Sequence, residues 1–127
     1  MHFQKNYMLK LNHKKLDVWI KSSELVSMLY SITKSFPKEE TFGLTNQLRR
    51  AAVSILSNIA EGSARSSKLE RKRFYEIARS SLVEVDAQIE IATNLGYLNK
   101  QNLIDLEELI NHSFALLTKM ISRTQYV

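Results

Sequence analysis

Three histidines, thirteen carboxylates and a run of lysines and arginines are the side chains in this sequence that could take part in chemistry. The histidines stand apart at positions 2, 13 and 112. A di-metal site in a helical bundle needs several inward glutamates together with Glu-x-x-His pairs, and Glu108, four residues ahead of His112, is the nearest approach to one. No metal ligand is therefore assigned. There is no cysteine, which removes disulfides, thiolate ligands and thiol nucleophiles together. No glycine-rich phosphate loop, no Gly-x-Ser-x-Gly turn and no dinucleotide fingerprint occurs, and the many serines have no histidine base in a recognisable context. The expectation is a protein that is not an enzyme and carries no cofactor.

The cations are distributed differently. Between positions 49 and 73 stand Arg49, Arg50, Arg65, Lys68, Arg71, Lys72 and Arg73, opposed by Glu61 and Glu70 alone. This stretch matches the whole net charge of +5, while positions 84 to 108 hold six acids against Lys100. The molecule should be electrically polar, a pattern suited to steering a partner or to head-to-tail self-association. Lys68, Arg71, Lys72 and Arg73 also fall in the opening turns of a predicted helix, where the helix dipole penalises each cation by roughly a few tenths of a kcal/mol. An anion such as a phosphate would offset that cost. Three readings of the cluster compete: contact with nucleic-acid backbone, pairing with acids of a neighbouring subunit or partner protein, and plain solvation. Aromatic residues placed to stack on bases, such as Tyr75, are too few to argue for base reading, so a nucleic acid would be bound with weak sequence preference and strong salt dependence.

The elements that must position these residues are helical. Three glycines and one proline, at 43, 62, 96 and 37, cut 127 residues into pieces of helical length. Positions 1 to 13 have no clean period and read as an N-terminal arm, and 14 to 127 as a single domain. A first helix is expected from Lys14 to about Lys34, with Leu16, Ile20, Leu25, Leu29 and Ile32 inward. A second begins within "SFPKEETFGLT", where Glu39 and Glu40 suit a helix N-terminus. It carries Leu44, Leu48, Ala51, Ala52, Ile55 and Ile59 and ends at Gly62. Its small residues suggest close helix neighbours.

In "SNIAEGSARSS", residues 57–67, Glu61 and Arg65 should pair, Asn58 should bond the freed backbone of the corner, and Ser67 with Glu70 should form a capping box. The third helix is assigned Phe74, Ile77, Ala78, Ser81, Val85, Ile89, Ala92 and Leu95 as its core face, with Gly96 as its stop. Arg65, Lys68, Lys72 and Arg79 then project away from the core. Tyr75, Leu82 and Val83 fall outside that face. With Val53 and Leu56 from a second, weaker face of the second helix, they form the candidate oligomer interface. Asn99 caps a fourth helix carrying Leu103, Leu106, Ile110, Leu117 and Met120 or Ile121. Four amphipathic helices with short connections predict an all-α, up-down-up-down four-helix bundle.

At 44% apolar and 24% charged the composition is that of an ordinary globular domain. "MHFQKNYMLKLNHKK" lacks the apolar core of a signal peptide, and no run approaches the roughly 18 residues of a membrane span. A soluble, cytoplasmic protein with no membrane partner is expected.

The stretch "FPKEETFGLTNQLRRAAVSILSNIAEGSARSS" resembles the four-helix-bundle family encoded within intervening sequences of bacterial 23S rRNA genes, which also includes the accessory variability determinant of diversity-generating retroelements. "FYEIARSSLVEVDAQIEIATNLGYL" is similar to the family's second signature, and the resemblance extends from about Leu16 to Ile121. It implies a ring-shaped homopentamer with a basic surface and, for the retroelement relative, binding to nucleic acid and to a reverse transcriptase. The chain departs from the family pattern at Leu56, where proline is frequent, and at Ser80, where glycine is frequent. The first departure should leave the second helix unkinked.

Overall fold

A computed structural model describes residue 9 and residues 11–124. Four helices make up the fold: α1 (Asp17–Thr33), α2 (Leu44–Ser63), α3 (Lys68–Asn94) and α4 (Lys100–Arg123), with no strand among the described residues. Each packs on its two neighbours in the order α1, α2, α3, α4 and back to α1, and α2 and α3 share the most extensive contact. The Tyr97 hydroxyl donates to Glu40 Oε2 at 3.0 Å, which sets the α3–α4 turn beside the α1–α2 connection. At the other end, the first turn of α3 lies against the last turn of α4. This is the up-down-up-down arrangement that short connections dictate.

The helix boundaries follow from identifiable chemistry. Ser67 Oγ accepts the Glu70 N–H at 3.3 Å, and Asn99 Oδ1 accepts the Asn102 N–H at 2.7 Å. Past α3, the N–H groups of Tyr97 and Gly96 donate to the carbonyls of Ala92 and Thr93, and Gly96 takes φ 80°, a left-handed stop that glycine adopts without steric cost. Glu40 Oε1 accepts the Leu44 N–H at 3.2 Å, so one of the two expected acids does serve the start of α2, from the short 3-10 turn Lys38–Glu40. With Leu56 in place of proline, α2 runs unbroken.

Several expectations were displaced. Most of the N-terminal arm lies outside the described residues, but Asn12–Lys15 forms a 3-10 turn and His13 is buried, with its ring edge-on to Trp19 at 4.6 Å. In α1 the inward stripe runs through Val18, Ser22, Leu25, Leu29 and Ile32, and Ile20 faces outward. The largest correction is in α3. Tyr75 and Leu82, expected at an oligomer interface, are 5% and 0% exposed, whereas Ile77 and Leu95 are exposed. Tyr75, Ala78, Leu82, Val85, Ile89 and Ala92 are all buried, and their spacings alternate three and four, the seam that keeps one side of a helix on its neighbours. Ala78, Ser81, Val85, Ile89 and Ala92 are buried as the sequence predicts, and the misplaced core positions are Phe74, which is half-buried, Ile77 and Leu95. Leu56 is half-buried, and Val53 and Val83 remain exposed at 44% and 54%.

Small side chains let α2 and α3 approach. Ala52 and Ala78 are fully buried, and the Ser54 and Ser81 hydroxyls meet at 2.9 Å between the two helices.

Candidate functional site

Gly62 organises the corner between α2 and α3. It lies one residue inside the end of α2 and does not act as a left-handed stop. A Cβ at this position would stand 2.7 Å from the Tyr75 ring and 3.1 Å from the Phe74 side chain. Glycine is required because α3 packs its first aromatic residue directly onto the backbone of α2. The Tyr75 hydroxyl and the Ser63 hydroxyl, 3.0 Å apart, then pin the ring. The Glu61–Arg65 pair forms as expected at 3.0 Å, and the Arg65 guanidinium also covers the Phe74 ring at 4.9 Å. Asn58 behaves differently from expectation: its amide donates to the Ser54 carbonyl and hydroxyl, one turn back within α2, and leaves the corner backbone alone.

The seven candidate cations separate into two places. Arg49 and Arg50 stand about 20 Å along α2 from its end. Arg49 is used within the fold: its Nε donates to Thr33 Oγ1 at 2.9 Å and an Nη to the Tyr30 carbonyl at 3.2 Å, while the guanidinium lies over the Tyr30 ring. A cation there satisfies the carbonyl end of α1. Arg50 is exposed, beside Asn46 and across from Glu84.

Arg65, Lys68, Arg71, Lys72 and Arg73 gather at the α2–α3 corner. They do not form one outward face. Continuing the buried seam of α3 backward by four and then three residues leads from Tyr75 to Arg71 and Lys68, and these two line a hollow of about 240 Å³ with Tyr75, Met120, Arg123 and Thr124. Lys68 is exposed, as expected, and borders that hollow on the side of α3 next to α4. The Nε of Arg71 is shielded from solvent and has no hydrogen-bond partner. Arg123, in the last turn of α4, completes a trio of cations that α3 alone does not reveal. Its contribution is absent from the sequence signal because some fifty residues separate it from Arg71.

The acids occupy the opposite end of the same two helices. Asp86, Glu90 and Glu107 border a groove of about 570 Å³ over an apolar floor that includes Ile89, Leu106 and Ile110. Charge polarity therefore runs along the α3–α4 face. Among the described residues no group of three or more acids and histidines could hold a metal ion, and no helix is long and apolar enough to cross a membrane.

A family model described as 23S rRNA-intervening sequence protein matches residues 14–119. The chain belongs to this family. The match spans all seven candidate cations and stops short of Arg123 and Thr124. A crystal structure of a protein of unknown function from the S23 ribosomal protein family of Bacteroides thetaiotaomicron is similar in fold. Its TM-score is 0.74 at 21% identity, over 83% of this chain and 95% of that one. No curated protein matches the chain. Membership in the 23S rRNA-intervening sequence family thus accompanies the four-helix fold, and the family description names a gene location and no activity.

Proposed function

We propose that this family member is a non-enzymatic, homo-oligomeric bundle of the cytoplasm that binds RNA or DNA backbone through the α2–α3 corner. One observation carries the reading: Lys68 and Arg71 of α3 meet Arg123 of α4, Lys72 and Arg73 follow in the same turns of α3, and Glu61, one of the two acids nearby in sequence, is already paired with Arg65. Cations concentrated on one end give a focused positive potential, and phosphates are the polyanion that such a potential collects. Self-association, in the ring-shaped pentamer that the family resemblance implies, is supported by apolar side chains left outside the core. Val83, Ile91 and Leu95 are exposed on the side of α3 away from its seam, and Val53 is exposed on α2.

The test is fluorescence anisotropy of nuclease-treated protein against labelled single-stranded RNA and duplex DNA over a salt series. Neutralising several phosphates gives a log–log slope of several units, about 0.9 per phosphate on duplex DNA. The triple change Arg71→Glu, Lys72→Glu, Arg73→Glu should abolish binding while light scattering shows an unchanged oligomer. An oligomer that falls apart would assign the corner to subunit contacts. Absence of binding at low salt would favour the second reading, a structural adaptor for a protein partner such as a reverse transcriptase, for which the acidic α3–α4 groove is the matching surface.

A further inference from the structure

We propose that the acidic groove between α3 and α4 receives the stretch Phe3–Met8 of a second copy of this chain. At about 570 Å³ the groove falls within the range of roughly 300–1,000 Å³ that takes a ligand-sized body. Its floor is apolar, from Ile89, Leu106 and Ile110, and its rims carry Asp86 and Glu90 on α3 and Glu107 on α4. All three carboxylates are exposed, and none belongs to an ion pair among the described residues. A matching occupant brings apolar side chains to the floor and cations to the rims.

The chain carries such a stretch ahead of α1. Phe3, Tyr7 and Met8 supply the apolar side chains, Lys5 and Lys10 supply the cations, and no acid occurs before Asp17. Phe3–Met8 spans up to about 17 Å, enough to line the α3 wall from Asp86 to Asn94, which is about 12 Å long. The place where this stretch leaves the bundle decides whose groove it meets. The Lys14 ammonium donates to the Leu9 carbonyl, which holds Leu9 beside the 3-10 turn Asn12–Lys15. That turn packs on α1 and α2 and touches neither α3 nor α4. The groove lies across the bundle, beyond a helix diameter of about 10 Å, and toward the α3–α4 turn, at the far end of the roughly 24 Å of α1. Tyr7 and Met8 stand within about 7 Å of Leu9 along the chain, so neither reaches the groove of its own copy. This inference rests on the self-association reading and deepens it, adding to the contacts at Val53 and Val83 a segment that passes from one copy to the next.

The lack of cysteine makes the test direct, because Asn6→Cys gives the full chain a single thiol for a nitroxide. The nitroxide chain is mixed in equal amounts with isotope-labelled, unmodified chain, whose amide relaxation then reports contacts between copies alone. Broadening is expected at Thr93, Asn94, Leu103 and Asn111, around the groove. It should be lost when the nitroxide chain carries Phe3→Asp with Tyr7→Asp, and when the other chain carries Glu90→Lys with Glu107→Lys. It should persist with Asp105→Lys and Glu108→Lys, exposed acids that do not line the groove. Broadening confined to the chain that bears the nitroxide would put the stretch in its own groove and overturn the inference. Groove broadening from a nitroxide at Thr41→Cys, beside the exposed Phe42, with none from Asn6→Cys would seat the α1–α2 connection there and overturn it equally. Unaffected groove amides with a light-scattering mass above that of one chain overturn the inference and leave self-association standing. The mass of one chain, with no broadening between copies, overturns both.

Discussion

Gly62 shows how one absent side chain can set a contact between elements. Alanine there would gain roughly 1 kcal/mol of helix propensity but would push a Cβ to 2.7 Å from a ring that Ser63 holds in place. Overpacking a fixed contact costs about 1–3 kcal/mol, so Gly62→Ala should lower stability on balance, with a fall in melting temperature of about 4 °C in circular dichroism. The loss should disappear when Tyr75 is also changed to Val, and a penalty that survives this change would mean the ring is not its cause. His13 governs a pH dependence. Burial first, and the neighbouring Lys14 second, hold its pKa below the usual 6.5. The folded chain then resists protonation where the unfolded chain accepts it. Stability is complete above about pH 6.5 and declines as pH falls through that value toward the lower folded pKa. The urea midpoint should fall between pH 7 and 5.5, and His13→Phe should flatten that limb; equal slopes in the two proteins would refute the assignment.

At the scale of elements, the seam of α3 separates neighbours in sequence into different roles. Leu82 is fully buried and Val83 is 54% exposed. Leu82→Ala should cost about 3 kcal/mol in denaturant unfolding, and Val83→Ser should stay within about 0.5 kcal/mol. Similar losses at both positions would contradict the rotation of the helix described above. The core also contains two hydroxyls without partners, Ser22 on α1 and Ser113 on α4, both 0% exposed. Replacing an unsatisfied buried hydroxyl by a methyl group removes its desolvation cost, so Ser113→Ala should raise stability by about 1 kcal/mol. A drop instead would indicate a hydrogen bond made by that hydroxyl. Capping was readable because it is local: Ser67 with Glu70, Asn99 and Gly96 each act within a few residues. The centre of the α3 seam, Ala78, Ser81, Val85, Ile89 and Ala92, was readable too, but its edges were not, since Phe74, Tyr75, Ile77 and Leu82 offer two apolar arcs about 100° apart, and only α2 and α4 decide which is covered.

For the whole molecule, the charges matter more through their arrangement than through their sum. A basic end and an acidic groove on one face give a dipole that, on the proposed function, would steer a polyanion to the α2–α3 corner. Val53 on α2 and Val83 and Ile91 on α3 are exposed apolar side chains, and the proposed self-association would use them. Val53→Asp together with Val83→Asp should reduce the mass seen by light scattering to that of one chain while helicity is retained. An undiminished mass would move the interface to other surfaces, among them the fully open Phe42, 92% exposed. If the protein binds nucleic acid as the proposed ring, the weak contacts are multiplied, and the same pair of changes should also weaken that binding far more than the loss of two valines explains.

The sequence by itself determined four amphipathic helices, the caps of α3 and α4, the absence of thiol chemistry and the imbalance of charge along the chain, all of which depend on residue type and short spacing. Tertiary structure alone decided that Arg49 serves the end of α1, that Arg123 comes to stand beside Lys68 and Arg71, and that Gly62 exists for Tyr75. Each of these joins residues on different helices, and a periodic pattern within one helix holds no information about the side chain that will face it.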